Sequence, residues 1–224
     1  MQNRLILIFE HLAGHFGPLH WWPADTPFEV AVGAVLTQNT SWINVEKAIA
    51  NLRDAETLTP KAIRELPRSE LEALIRPSGF FRQKAERLHL FVDHLFAHHD
   101  GSISRLLDAP LAEARKELLS LKGIGPESAD SILLYAGGHP SFVVDAYTRR
   151  LFGRLGLLEG NEWHETIRYL FMDHLPPDAE LFNEYHALIV EQCKTFCRKR
   201  RPHCDPCPLL ENCPTGLEEN AKSK

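Results

Sequence analysis

Apolar residues recur at helical spacing along most of the chain. "FRQKAERLHLFVDHLFAHH" (Phe81 to His99), "WHETIRYLFMDHL" (Trp163 to Leu175) and "AELFNEYHALIVEQC" (Ala179 to Cys193) each predict an amphipathic helix. Start signals accompany the pattern. "TPFE" (Thr26 to Glu29) is a capping box with proline at the first helical position, and "SELE" (Ser69 to Glu72) repeats the box. Pro60 fits a first helical position, and Asp108 can cap the helix of "APLAEARKELLSL". No stretch sustains period-two alternation between hairpin turns, and only "SFVVDA" (Ser141 to Ala146) reads as locally extended. The expectation is an all-α fold of ten or more short helices in a compact orthogonal array.

Composition adds limits. The chain has 224 residues, 44% hydrophobic and 25% charged, enough for one large domain or two small ones with a real core. The net charge of -5 gives no general support for a nucleic-acid partner. Its distribution does: "KTFCRKRRPHC" gathers Lys194, Arg198, Lys199, Arg200 and Arg201 in one short span. These cations can meet a phosphate backbone or simply form a solvated charged face. "LILIF" near the N-terminus is cut short by Glu10 and has no clean cleavage site, so it reads as a helix rather than a signal peptide. Nothing approaches the ~20 apolar residues of a membrane span. A cytoplasmic protein is expected, on the nucleoid if bacterial, and no oligomer signal argues against a monomer.

Four of the five cysteines close the chain. Cys197, Cys204, Cys207 and Cys213 are separated by six, two and five residues, with prolines stiffening the loops. Soft thiolates in so short a span can surround one metal centre, and disulfides belong to exported proteins. Spacing alone leaves zinc and an iron–sulfur cluster both open. Cys193, on the preceding helix, reads as a buried small hydrophobe.

"LKGIGPESADSILLYAGG" (Leu121 to Gly138) places two glycines before a helix, with Leu121 and Ile124 as anchors. Such a turn presents backbone amides to an anion, although a glycine pair is often just a tight turn. Asp145, between "FVV" and "AYTRRLFGRL", suits a helix N-cap that also holds a carboxylate at a pocket edge. Taken with "EVAVGAVLTQNTSWINVEKAIANL", "IRPSGFFRQKAERL" and the cysteine loop, these blocks resemble the helix-hairpin-helix DNA glycosylases of the endonuclease III type, in the same order from about residue 28 to 213.

The resemblance implies a two-lobed helix-hairpin-helix glycosylase fold with a C-terminal 4Fe–4S cluster loop. Residues 24–137 would form a six-helix lobe ending in the hairpin. Residues 1–23 plus 138–215 would form the cluster lobe, and 216–224 a flexible tail. Double-stranded DNA containing damaged bases would lie across the cleft, with Asp145 and Glu127 facing it. Gly123 and Gly125 occupy the positions that grip phosphate, together with a monovalent cation. Asp145 matches the catalytic aspartate, and Gln38 matches the residue that fills the hole left by a flipped base. Phe80 stands where a wedge enters the duplex, with a core aromatic as the equal alternative. Cys197, Cys204, Cys207 and Cys213 match the cluster ligands.

One position departs from endonuclease III. The family's Schiff-base lysine would fall at Glu127, and a glutamate cannot form an imine. Lys122 precedes the turn. A monofunctional glycosylase is therefore expected, leaving an abasic site without cutting the strand. Trp21, Trp22 and Pro23, with Trp42, resemble the aromatics of the 3-methyladenine DNA glycosylase branch, where Glu127 would also belong to the pocket. Aromatic faces attract cationic alkylated purines, and ordinary packing is the competing role for these tryptophans. An endonuclease III-like glycosylase and lyase acting on oxidised pyrimidines is the alternative, and a damage-binding protein without catalysis a third.

Overall fold

The computed structural model describes residues 1–19 and 21–222, and every regular element among them is helical. The chain divides into two compact units, residues 22–139 and residues 1–21 with 140–224.

The continuous unit holds α2 (Pro27–Leu36), α3 (Trp42–Asp54), α4 (Pro60–Glu65), α5 (Arg68–Leu74), α6 (Phe81–His99), α7 (Ile103–Leu107), α8 (Leu111–Ser120) and α9 (Pro126–Ser131). That is eight α-helices, with a 3₁₀ turn at Arg76–Ser78 and a π-helical turn at Ile132–Ala136, where six helices were expected; α7, five residues long, is too short to show a helical period. α2 is apolar on every side, and residues Phe28 to Leu36 are all buried, so it is the post around which α3, α6 and α9 pack. Its start is as the sequence predicts: Thr26 Oγ1 accepts from Glu29 N at 3.1 Å and Pro27 opens the helix. The second box is not used. α5 begins at Arg68, and Glu72 pairs with Arg68 at 3.0 Å instead of folding back on Ser69. Nor does Asp108 cap α8, whose N-cap is Pro110; Asp108 ends α7.

Lys84 on α6 is fully buried. Its ammonium donates to Leu36 O and Ser78 O, each at 2.7 Å, and so closes the C-terminal end of α2. Burial, with help from nearby Arg87, pushes its pKa down to about 8.

The second unit holds α1 (Gln2–Phe16), α10 (Ala146–Arg154), α11 (His164–Met172), α12 (Ala179–Thr195) and α13 (Pro214–Lys222). α1 lays Leu5, Ile8 and Leu12 toward α12, and Tyr185 there donates its hydroxyl to Leu5 O at 2.7 Å. Phe142 stacks on Phe171 at 3.7 Å between centroids, with Phe152, Phe182 and Tyr185 edge-on around the pair. This aromatic core holds "FVVDA" extended without a strand partner among the described residues. The expected frayed tail is helical as far as Lys222, since Pro214 opens α13 and the helix packs against α10.

Candidate active site

The hairpin lies between α8 and α9. Leu121 O accepts from Ile124 N at 3.1 Å, Ile124 is buried, and Pro126 opens α9. Gly123 has φ +91, and a Cβ there would overlap the Arg87 side chain. Gly125 differs: its backbone is extended and no atom lies within 4 Å of a notional Cβ, so neither conformation nor crowding demands glycine there. Glu127 is exposed in the first turn of α9. The amine nearest in sequence, Lys122 Nζ, is 2.5 Å from Glu86 Oε1.

Gln38, just beyond α2, is tied to this turn. Its Nε2 donates to Gly123 O and to Ser128 Oγ, both at 2.9 Å, and its Oε1 accepts from Arg87 Nη1. Arg87 and Ser128 were not legible as site residues. Each is polar in a helix, and only the fold reveals that they converge on one amide. Phe80 adopts the left-handed conformation, φ 46, and is 62% exposed at the entry to α6. Phe81, not Phe80, packs against the core. A bulky side chain at positive φ is an uncommon backbone state.

Asp145 is the N-cap of α10. Its Oδ1 accepts from Thr148 N at 2.7 Å and Thr148 Oγ1 at 3.0 Å, and its Oδ2 lies 3.5 Å from Nε2 of buried His186 on α12. Burial raises its pKa, but His186 and the two Thr148 donors outweigh burial, so the carboxyl sits below its ordinary value. It is an ionised, oriented carboxylate at neutral pH. His186 gave no sequence signal, lying inside an amphipathic pattern.

Trp22, Pro23 and Trp42 line a pocket of about 200 Å³, with Glu29, Glu46 and Arg53 on its walls. Trp22 meets Trp42 edge-on at 4.9 Å and leans on Tyr135 at 5.0 Å. Gly33 lets the Trp22 ring press against α2, since a Cβ would come within 3.1 Å of it. Glu46 Oε1 accepts from Trp42 Nε1 at 2.9 Å, and Glu29 pairs with Arg53 at 2.8 Å. The pocket thus combines indole faces with two carboxylates and one guanidinium. Trp21 is not among its lining residues; Lys194 Nζ sits 5.0 Å over the Trp21 ring.

Cys197, Cys204, Cys207 and Cys213 line one recess. Three sulfurs receive N–H donors: Cys197 from Arg154 Nη1 at 3.2 Å, Cys207 from Gln192 Nε2 at 3.1 Å, Cys213 from Gly216 N at 3.3 Å. Cys193 is buried, and its thiol faces Tyr147 O at 3.5 Å. Arg198, Lys199, Arg200 and Arg201 are exposed beside this loop, with Arg201 at φ 51.

The described residues thus combine an all-helical fold with a glycine hairpin and a capped, ionised aspartate. The chain belongs to the HhH-GPD superfamily of base excision DNA repair proteins, whose family pattern matches residues 32–177. It is 47% identical, over 92% of its length and 94% of the relative's, to a protein of Methanocaldococcus jannaschii named provisionally as a DNA repair glycosylase. Its fold matches an endonuclease III–DNA complex with TM-score 0.84 and 25% identity, covering 99% of both chains. It also matches the H. pylori 3-methyladenine DNA glycosylase bound to 1,N6-ethenoadenine, with TM-score 0.70 and 31% identity over 86% of this chain and 95% of that one. A base excision DNA glycosylase is the class these findings define. Among the described residues no helix is long and apolar enough to cross a membrane.

Proposed function

We propose that the protein is a monofunctional DNA N-glycosylase that removes alkylated purines, 3-methyladenine foremost, from double-stranded DNA. The observation that carries this reading is the tryptophan pocket. Its volume suits one flipped base, its indoles offer stacking faces, and its two carboxylates against one guanidinium favour a cation. A purine methylated on a ring nitrogen carries that positive charge. The 31% identity to a 3-methyladenine DNA glycosylase supports the same substrate class.

The chemistry asks little of an acid. The bond between C1′ and the base nitrogen breaks, and its electron pair neutralises the cationic base. Water then adds to C1′, and its proton passes to solvent or to Asp145. The Asp145 carboxylate, ionised by its hydrogen bonds, stabilises the oxocarbenium sugar and orients that water. Glu127 supplies no imine-forming amine, and Lys122 is engaged with Glu86, which supports hydrolysis without strand cleavage. Gln38 would fill the vacated stack, Phe80 would wedge the duplex, and Gly123 and Gly125 would admit a phosphate with a monovalent cation at the hairpin.

A 4Fe–4S cluster on Cys197, Cys204, Cys207 and Cys213 is supported by the four thiols that line one recess and by the three N–H donors that face their sulfurs. When bound, such a cluster supplies a structural clamp. The chain's own part is to hold Arg154 and Gln192 against the sulfurs. Purified protein that is colourless and contains zinc would overturn this assignment.

A second reading, a lyase of the endonuclease III kind acting on oxidised pyrimidines, is favoured by the fold match over 99% of the chain. One experiment separates the two. Methylated duplex DNA is incubated with the protein, released bases are identified by chromatography, and strand breaks are scored before and after alkali. Free 3-methyladenine, with breaks only after alkali and no borohydride-trapped adduct, is expected. A trapped adduct would sink the monofunctional assignment, and no released alkylpurine would sink the pocket's.

A further inference from the structure

Beyond Lys84 and Arg87, α6 ends in "HLFAHH". His94 lies in its last turns and His99 is its final residue. Both imidazoles turn toward α8. Nε2 of His94 is 2.6 Å, and Nε2 of His99 2.5 Å, from the same oxygen, Oε1 of Glu117. These three donor atoms lie within 4.8 Å of one another. The side chains are 18%, 16% and 28% exposed, so the site is sheltered yet open to an entering ion.

We propose that His94, His99 and Glu117 form a binding site for one first-row transition ion of the zinc, cobalt or nickel kind. Two imidazoles with one carboxylate suit such borderline ions and not magnesium or calcium, which take oxygen ligands. Three protein ligands leave room for water. The helix end adds its share: α6 runs 19 residues, and the partial negative charge of its C-terminus falls in this last turn. The turn is rigidly set. Asp100 is held at φ 51, and Gly101, at φ 75, lies against the Phe96 ring. The ion would tie α6 to α8, the helix that leads into the hairpin. It is a structural clamp independent of which base the enzyme removes.

The test uses the full-length protein as purified, titrated with zinc and separately with cobalt. Calorimetry is expected to show one ion bound per chain outside the cysteine loop, with a rise in Tm of several degrees. In the double variant H94A/H99A that binding event and the Tm rise should both disappear, and Glu117→Gln should weaken binding at least tenfold. Retention of the same stoichiometry by H94A/H99A would mean an adventitious ion only, and overturn the site. No binding by the unsubstituted protein would do the same. Should the double variant fail to fold, cobalt added to the unsubstituted protein must shift or broaden the imidazole resonances of His94 and His99 ahead of its other histidines. Unaffected resonances would leave Glu117 as nothing more than a hydrogen-bond acceptor.

Discussion

Asp145 does two jobs with two oxygens. Oδ1 caps α10 through Thr148, while Oδ2 faces His186. Asparagine is as good a cap as aspartate, so Asp145→Asn should keep the α10 cap and lose only the charge that faces His186. Base release should fall at least ~100-fold, since the charge opposite the oxocarbenium is gone. A folded Asp145→Asn enzyme that releases base at the parental rate would remove the carboxylate from the mechanism. The pH profile follows from the same contacts. A carboxyl held below its ordinary value contributes stability that is complete above the ordinary carboxylate range. That contribution is lost as pH falls through the depressed folded value. Base release should therefore stay level through mildly acidic pH and drop only below the usual aspartate range. A drop already at pH 5 to 6 would mean that burial wins over His186 and Thr148. Gly123 permits a sharper experiment. Gly123→Ala should destabilise by about 1–3 kcal/mol, part from the φ of +91 and part from displacing Arg87. In an Arg87→Ala background the steric part should vanish and the conformational part remain, which a double-mutant cycle in urea measures directly. Strict additivity would show that Arg87 does not brace the turn.

At the scale of elements, Lys84 is where α2, the 3₁₀ turn at Arg76–Ser78 and α6 meet. Lys84→Met keeps the length of the side chain but strands two buried carbonyls that an ammonium had satisfied. About 2–4 kcal/mol of stability should go, read from the midpoint of urea unfolding at unchanged slope. A loss under ~0.5 kcal/mol would mean that water reaches Leu36 O and Ser78 O. How far such elements can be read in advance depends on where their signal lies. α2 was legible because Thr26, Pro27 and Glu29 state its start locally and its apolar run states its burial. The Ser69 box and the Asp108 cap misled because the neighbouring Pro67 and Pro110 end up as the N-caps, one position ahead of helices that begin at Arg68 and Leu111. The hairpin glycines, Asp145 and the four cysteines stand out because rare residue types sit at telling spacings. Arg87, Ser128, His186 and Gln192 do not. Their partners lie 49, 90, 41 and 15 residues away in the chain, and nothing in a helical pattern announces a polar side chain turned inward. The sequence grouped Trp21, Trp22 and Pro23 with Trp42; Trp22, Pro23 and Trp42 line one pocket and Trp21 does not, while Glu46, which holds the Trp42 indole, gave no signal.

For the molecule as a whole, the question is how a chain of net charge -5 would hold a polyanion. Its average field repels DNA, so attraction must be local and short-ranged, within about 8–10 Å at physiological ionic strength. Arg198, Lys199, Arg200 and Arg201 form one exposed group able to supply it. Lys194 is committed to the Trp21 ring, and Arg154, which donates to Arg198 O at 2.8 Å, braces the loop that carries the others. Each phosphate neutralised releases counterions and adds about 0.9 to the steepness of the fall of log K with log salt. Replacing all four cations by alanine should therefore flatten that slope by about 3–4 if each meets a phosphate, and weaken damaged and undamaged duplexes alike. Lys194→Ala should change the slope by far less. Fluorescence anisotropy on a labelled duplex, across a salt series, gives both values. Slopes that coincide for the parent and the fourfold variant would make the run a solvated face. The grip on DNA would then fall to the hairpin and to uncharged contacts, whose salt dependence is weak.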